Sequence, residues 1–174
     1  MVFARIGCAF AALLVASGMA FAQEAKPTDP QIAHIAYTAG QIDIEAAQQA
    51  LQKSKNKDVI AFAKNMEQDH KAVNDQALAL VKKLNVTPED NDISRSLSKQ
   101  AAAKRAELAK LSGAAFDKAY IDNEVAYHKA VNSALSKTLI PSASNAELKS
   151  LLMTGLKIFE GHEQHAEHVA AEFK

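Results

Sequence analysis

Residues 59–84 read VIAFAKNMEQDHKAVNDQALALVKKL, and the apolar side chains in this stretch recur at alternating steps of four and three. The resulting stripe consists of Val59, Ala63, Met66, His70, Val73, Ala77, Leu80 and Leu84. Such spacing places side chains on one face of an α-helix. Because His70 lies at the centre of the stripe, the pattern predicts an amphipathic helix with a histidine in its buried face.

Three other stretches carry a stripe of the same kind, and each is interrupted near its middle by a polar residue. The stripes comprise Ile32, Ala36, Ala39, Asp43, Ala46 and Ala50; then Ile121, Glu124, His128, Val131 and Leu135; and finally Leu148, Leu152, Gly155, Phe159, His162, Ala166, Val169 and Phe173. The last stretch contains the run FEGHEQHAEH, residues 159–168. Histidines three residues apart wind around a helix, so only His162 of this run is expected in the core.

The chain is predicted to be all-α, since it is rich in Ala, Leu, Lys, Gln and Glu and shows no runs of period two. Turn-forming clusters separate five predicted helices, at 31–54, 57–84, 92–111, 114–138 and 145–173. The connection over residues 85–112 is long enough to cross from one end of a bundle to the other. We therefore expect a ferritin-like four-helix bundle whose fifth, shorter helix lies in the crossover. A plain array of five helices is the alternative.

The N-terminal residues are typical of a secretory signal peptide. One arginine precedes an apolar stretch and the triplet Ala20-Phe21-Ala22. We expect cleavage after Ala22 and export to the periplasm, with no stable membrane insertion afterwards; an uncleaved N-terminal anchor is the alternative. Residues 1–22 are then the signal peptide, 23–30 a polar tether and 31–174 the helical domain. The domain contains no cysteine, so its stability comes from packing or from a ligand.

The polar residues at the centres of the four stripes form a candidate metal site. In an antiparallel bundle the midpoints of the helices lie at a similar height, so these side chains are expected to meet in one layer. Glu67 is included because a Glu-x-x-His pair can direct both side chains inward. The predicted ligands are Asp43, Glu67, His70, Glu124, His128 and His162. Burying a charged side chain costs on the order of several kcal/mol unless the side chain is paired with an opposite charge or binds a cation. Imidazole with carboxylate suits Zn, Fe, Mn or Cu.

Other readings of these residues stay open. The same layer is compatible with a hydrogen-bonded polar core without metal, or with a small-molecule pocket. His165 and His168 alternate with Glu and Gln and are expected on a solvated face, whereas His34 is expected near a helix end. The 20 basic residues balance the 20 acidic ones, which argues against a nucleic-acid partner. The sequence shows no nucleophile arrangement and no phosphate-binding glycine loop, and we assign no catalytic residue.

Three stretches resemble a bacterial family called domain of unknown function 4142. They are VIAFAKNMEQDHKAVND (59–75), LSGAAFDKAYIDNEVAYHKAV (111–131) and LKIFEGHEQHAEH (156–168). The resemblance covers residues 31–170 and implies a ferritin-like bundle in an exported protein, often labelled an outer-membrane or periplasmic protein. It also implies that His70, His128 and His162 are the recurring histidines of the family and that Asp43 is its acidic residue in the first helix.

The chain departs from the di-iron pattern of ferritin-like proteins, in which two helices each carry a Glu-x-x-His motif. Phe159 stands three residues before His162, and Glu124 and His128 are four apart. This difference favours a single ion, or none, over a di-iron centre. Three functions are compatible with the sequence: a periplasmic module that binds a transition metal, a metal-dependent oxidase or peroxidase, and an envelope-stress or interaction protein with a purely structural polar layer. No protein partner is indicated.

Overall fold

The computed structural model describes residues 26–173, and the predicted signal peptide lies outside this range. The described residues contain no strand, which confirms the all-α prediction. They form five helices of 18 residues or more: α1 (Asp29–Lys53), α2 (Lys57–Lys83), α3 (Asp92–Ala109), α4 (Gly113–Ala134) and α5 (Ala146–Ala171). No helix in this range is both long enough and apolar enough to cross a membrane.

The helix starts follow from local capping. The side chains of Asn56 and Asn145 each accept hydrogen bonds from two backbone N–H groups in the first turns of α2 and α5. Helix α1 begins at Asp29, two residues earlier than predicted. Pro30 fits the first turn of a helix, because the backbone N–H groups of that turn have no hydrogen-bond partner within the helix and proline has no N–H. The last two residues of the predicted tether are therefore helical.

Helix α4 continues beyond its α-helical part through a π-helical turn at Leu135–Leu139 and a final turn at Ile140–Ser142. Pro141 lies in that last turn and cannot donate a hydrogen bond to the carbonyl four residues before it. The wider π-turn precedes this proline and lets the chain stay helical. The predicted break at 139–145 thus begins only after Ser142.

The helices alternate in direction along the chain. The turns between α1 and α2 and between α4 and α5 are short, so both pairs are antiparallel. At one end of the bundle the Asp29 carboxylate accepts hydrogen bonds from the backbone N–H groups of Ser144 and Asn145, each at 2.8 Å. This contact places the start of α1 beside the start of α5. Helix α1 packs on α2, α2 on α5 and α5 on α4.

Helix α3 forms the crossover and runs beside α1 in the same direction. Gln49 Nε2 donates to the Arg105 carbonyl at 3.0 Å, and Lys53 Nζ donates to the Ala109 carbonyl at 2.9 Å. The crossover therefore carries the chain from the end of α2 back to the opposite end, where α4 begins. Helix α3 packs mainly on α1 and has few contacts with α4.

Two apolar clusters lie along the length of the core. One contains Phe62, Met66, Tyr120 and Ile121, all fully buried, together with Ala166. The other contains Ile32, Leu135, Leu148, Leu152 and Phe159. The polar residues at the centres of the four stripes lie between these clusters, because each stripe has apolar residues on both sides of its polar one.

Helices α1 and α2 approach each other closely at Gly40. A Cβ atom added to Gly40 would lie 2.9 Å from Asn74 Cγ and would overlap Asn74 Oδ1. The Asn74 side chain is buried and donates to the Tyr37 carbonyl at 3.3 Å, so it cannot withdraw without losing that bond. Only a residue without a side chain fits this position.

Replacing Gly40 with alanine is expected to lower the free energy of unfolding by about 1–3 kcal/mol, as overpacking of a core contact does. Gly161 is the matched control, because it lies in α5 with nothing within 4 Å of an added Cβ. Gly161→Ala should raise the stability by about 0.5–1 kcal/mol through helix propensity alone. Urea unfolding followed by circular dichroism measures both; an equal effect of the two substitutions would contradict the packing argument.

Candidate metal centre

Five of the six predicted ligands converge in the middle of the bundle. Asp43 comes from α1, His70 from α2, Glu124 and His128 from α4, and His162 from α5, and none is more than 5% exposed. Helical periodicity places each of them at the centre of a buried stripe. The convergence of four helices at one height is as the stripes predict.

The ligand atoms form two overlapping groups that share His128. One nitrogen of each of His70, His128 and His162 lies within 4.8 Å of the other two, and the same limit holds among Asp43, Glu124 and His128. Asp43 Oδ2 lies 3.2 Å from His70 Nε2 and 3.3 Å from His128 Nε2. These buried side chains therefore form one cluster, which could hold a metal ion.

Backbone and carboxylate partners determine which nitrogens of two histidines are free. His128 Nδ1 lies 3.0 Å from the carbonyl oxygen of Glu124, to which it donates, so Nε2 of the neutral ring carries the lone pair. His162 Nε2 lies 3.0 Å from Asp69 Oδ2 and donates to it, which leaves the lone pair on Nδ1. Metal-binding histidines commonly use their second nitrogen in this way.

Asp69 is the site residue that the sequence analysis missed. It is partly buried and reaches His162 from α2, although the two residues are 93 positions apart. A signal was present, because Asp69 follows Met66 by three residues and precedes Val73 by four. That spacing places it at the edge of the apolar stripe, next to the neighbouring helix.

Most polar atoms of the cluster have no hydrogen-bond partner within the described residues. These atoms are both carboxylate oxygens of Asp43, both ring nitrogens of His70, Oε2 of Glu124, Nε2 of His128 and Nδ1 of His162. The Asp43 oxygen lies within hydrogen-bond distance of His70 and His128, but neither pair has the geometry of a hydrogen bond. Buried polar atoms are rarely left unpaired in folded proteins, so these atoms can serve as ligands to an ion or as partners to a bound molecule.

Burial and neighbouring charges give the cluster the protonation state that metal coordination requires. Burial raises the pKa of Asp43, but the neighbouring His70, followed by the charges that His128 and His162 carry when protonated, outweighs it, so this pKa lies below its ordinary value. Burial lowers the pKa of His128, and Asp43 offsets this only in part. Burial likewise lowers the pKa of His162 to about 4. His128 and His162 are therefore neutral at neutral pH, as metal-binding histidines must be.

Glu124 differs from Asp43 in its protonation. Burial raises the pKa of Glu124 well above its ordinary value, and the nearby Asp43 carboxylate raises it further. Two carboxylates this close do not both ionise readily without a cation between them. Without an ion, Glu124 therefore keeps its proton to a higher pH than an ordinary glutamate does.

The expectation that Glu67 points into the layer is corrected. Its side chain is partly exposed, and its Oε1 accepts a hydrogen bond from Gln48 Nε2 at 2.9 Å. Because His70 occupies the centre of the buried stripe, a residue three positions earlier is rotated about 60° away from that direction. Glu67 therefore lies on the flank of α2, facing α1.

The other histidines lie outside the cluster. His168 is exposed as predicted, and His34 lies in the second turn of α1, 3.5 Å from Thr38 Oγ1. His165 is partly buried, contrary to the prediction, because its ring packs edge-on against Phe62 at 5.2 Å between centroids. The chain thus has three histidines in the cluster and three outside it.

Comparison with known proteins identifies the family. The family model described as Domain of unknown function (DUF4142) matches residues 15–169 of the 174-residue chain. The chain belongs to this family. The resemblance of the three sequence stretches is thereby confirmed, and the match extends further toward the N-terminus than those stretches do. No curated protein and no solved structure matches the chain, so the description of DUF4142 supplies a family but no activity.

The buried histidines should make this DUF4142 protein sensitive to acid in the absence of metal. The pKa of His162 is about 4 in the folded protein against an ordinary value of 6.5, so the unfolded chain binds more protons between these values. The groups that face His162 are Asp69, His70, His128 and Asp43. The contribution of the neutral His162 ring to the free energy of unfolding should therefore be complete above pH 6.5 and should decrease as the pH falls toward about 4.

The measurement is urea unfolding of chelator-treated protein at a series of pH values. His162→Asn removes the titrating ring, so its stability should decline less steeply over this range than that of the unchanged protein. His168→Asn, at an exposed position of the same helix, should retain the full decline. Parallel curves for His162→Asn and the unchanged protein would show that His162 is not responsible.

Proposed function

We propose that this protein binds one transition-metal ion in the centre of its helical bundle. His70, His128, His162 and Asp43 would hold the ion, with Glu124 beside it. The protein would serve to sequester or buffer the metal. Export to the periplasm and a ferritin-like topology belong to this proposal; the signal-peptide pattern of residues 1–22 and the long crossover between α2 and α4 support them.

The position of the Asp43 carboxylate carries the proposal. Its Oδ2 lies 3.2 and 3.3 Å from two imidazole nitrogens without forming a hydrogen bond to either. Ligands about 2.0–2.1 Å from a zinc ion in tetrahedral geometry are about 3.3 Å apart. The spacing of these atoms is therefore that of ligands around a common ion.

The chemistry of the donor set narrows the choice of ion. Residues 26–173 contain no cysteine, so the donors are imidazole nitrogen and carboxylate oxygen. This combination suits Zn²⁺, Cu²⁺, Fe²⁺ or Mn²⁺. If Glu124 loses its proton when the ion binds, the two carboxylates neutralise a divalent charge.

The groups behind the ligands also fit a metal site. Asp69 holds the His162 ring, and the Glu124 carbonyl holds the His128 ring. Phe159 stacks on His70 with ring centroids 4.4 Å apart, which keeps an apolar surface against the cluster. Held rings lose little freedom when they coordinate, and such supporting contacts strengthen metal binding.

Metal binding should have a stoichiometry of about one, measured by elemental analysis after reconstitution of residues 23–174 with Zn²⁺, Cu²⁺, Fe²⁺ and Mn²⁺ in turn. Joint replacement of His70, His128 and His162 with glutamine should abolish it. The matched control replaces the other three histidines, His34, His165 and His168, and should retain one equivalent. Circular dichroism checks that both variants are folded.

Two results would overturn the proposal. One is less than about 0.1 equivalents of every metal in the unchanged protein under conditions where ligand histidines are neutral. The other is equal loss of metal in the two triple variants, which would place the ions at the surface. In the first case the cluster would be a polar layer that fixes the alignment of the helices, a role known for buried polar groups.

The Asp69–His162 hydrogen bond allows a sharper test. Asp69→Ala removes the carboxylate that supports the ring, so the Zn²⁺ affinity should fall about 10–100-fold. Asp75→Ala is the control, because Asp75 lies on the same helix but pairs only with Lys71 at the surface. Competition with a chromophoric chelator measures both affinities. Equal affinities of the two variants would show that Asp69 does not support a ligand.

A metal-dependent oxidase or peroxidase is a second candidate, favoured by one observation. Asp43 and Glu124 line a large cavity, so a small molecule could reach the cluster through it. A bound iron, copper or manganese ion would supply redox chemistry at that position. A preference for Zn²⁺, together with no oxidation of test phenols by the reconstituted protein, would exclude this candidate and leave metal sequestration.

A further inference from the structure

A large cavity opens beside the polar cluster, and its walls are almost entirely apolar. Its volume is about 700 Å³, and all five helices contribute to it. Among the apolar residues of its wall are Ile42, Val73, Leu97, Val131, Leu152 and Phe159. Helix α3 packs mainly on α1 and has few contacts with α4, and residues of both α3 and α4 line the cavity.

Two buried carboxyl side chains are among the few polar residues of the cavity wall. Asp43 and Glu124 both line the cavity, each is only 1% exposed, and each has a carboxylate oxygen without a hydrogen-bond partner among residues 26–173. Buried polar atoms normally have a partner. A molecule that fills the cavity can supply that partner where it meets these two residues.

The two cations on the cavity wall are not available to bind an anion. Lys104 and Arg105 of α3 are the cations on the wall, and both are already paired: Lys104 with Glu107 at 2.6 Å and Arg105 with Glu45 at 2.7 Å. Ile93, which is 47% exposed, adds an apolar surface to the wall. With two buried carboxyl groups and two ion-paired cations on the wall, an ionised fatty acid would meet no favourable charge.

We propose that this cavity binds one neutral amphiphile, a long aliphatic chain that ends in a hydroxyl group. The apolar walls would hold the chain, and the hydroxyl would lie against Asp43 and Glu124. A hydroxyl group both donates and accepts hydrogen bonds, so it can pair with a carboxyl group in either protonation state. The cavity volume lies within the range of small-molecule sites, and a mainly apolar wall with a few converging polar groups is their usual character.

This inference goes beyond metal binding and does not depend on it. Leu97, Val131 and the rest of the apolar wall take no part in the proposed coordination, and they are present whether or not an ion is bound. Ligand binding is therefore measured on chelator-treated protein and again after Zn²⁺ loading. Failure of metal binding leaves the first measurement unchanged, so the two proposals can fail separately.

The test uses fluorescence of N-phenyl-1-naphthylamine, a neutral apolar dye, because the chain contains no tryptophan to interfere. The chelator-treated protein should enhance the dye emission, and dodecan-1-ol should displace the dye. Dodecanoate and dodecane should each require about tenfold higher concentration, a difference of about 1.4 kcal/mol in binding free energy. Equal displacement by dodecanoate would overturn the assignment of a neutral head group, and equal displacement by dodecane would overturn any role of the hydroxyl.

Two substitutions locate the bound molecule. Ala101→Phe places a large ring in the cavity from α3 and should weaken dodecan-1-ol binding at least about tenfold. Ala102→Phe is its control, since Ala102 is the adjacent exposed residue and does not line the cavity. Ala36→Phe fills the cavity from α1 and guards against a folding defect of the α3 variant.

Circular dichroism and urea unfolding first establish which variants fold. Loss of binding in a folded Ala101→Phe or Ala36→Phe variant, with full binding by Ala102→Phe, supports the proposal. Unchanged binding by a folded cavity-filling variant overturns it, as does an unchanged protein that neither enhances the dye emission nor binds dodecan-1-ol.

Discussion

The buried carboxylate of Asp43 is the constraint on which the rest of the structure depends. An ionised group with 1% exposure is stable only where opposite charges or hydrogen-bond donors surround it. The nearest polar groups come from different helices, with His70 on α2 at 3.2 Å and His128 on α4 at 3.3 Å; the lone pair on His128 Nε2 makes its contact with Asp43 favourable only with a proton or a metal ion between the two atoms. A shift of any of these helices by one turn would move its polar residue toward an apolar cluster, which would cost free energy.

The apolar clusters and the polar layer have different roles in the core. The apolar clusters on the two sides of the layer need no further partner and supply the stability of the fold. The layer between them is incompletely paired, with free lone pairs on His128 Nε2 and His162 Nδ1. An ion that coordinates these atoms would add free energy of binding to the folded state alone. The domain has no disulfide to supply such stability, because residues 26–173 contain no cysteine.

The cavity beside the crossover helix α3 gives a ligand a route to the polar layer. A bundle of four helices packed evenly would close around the cluster, but α3 lies along α1 and fills the space beside α4 only in part. The cavity is lined by Asp43 and Glu124 but not by His162, which Asp69 supports instead. One side of the cluster is thus held by hydrogen bonds, whereas the other faces a space that a ligand can enter. Asp69 thus supports a ring of the cluster, whereas Asp43 and Glu124 are the groups that a ligand in the cavity would meet.

The sequence by itself determined the helices and the inward direction of Asp43, His70, Glu124, His128 and His162, because helical periodicity fixes which residues share a face. Family membership followed from short motifs in the same stretches. Only the tertiary structure excluded Glu67, revealed Asp69 and opened the cavity. Those features depend on the rotation and spacing of neighbouring helices: Asp69 and Glu67 both lie at the edge of one stripe, and the helix packed against each edge decides which becomes part of the site. Periodicity within a single helix contains no information about that neighbour.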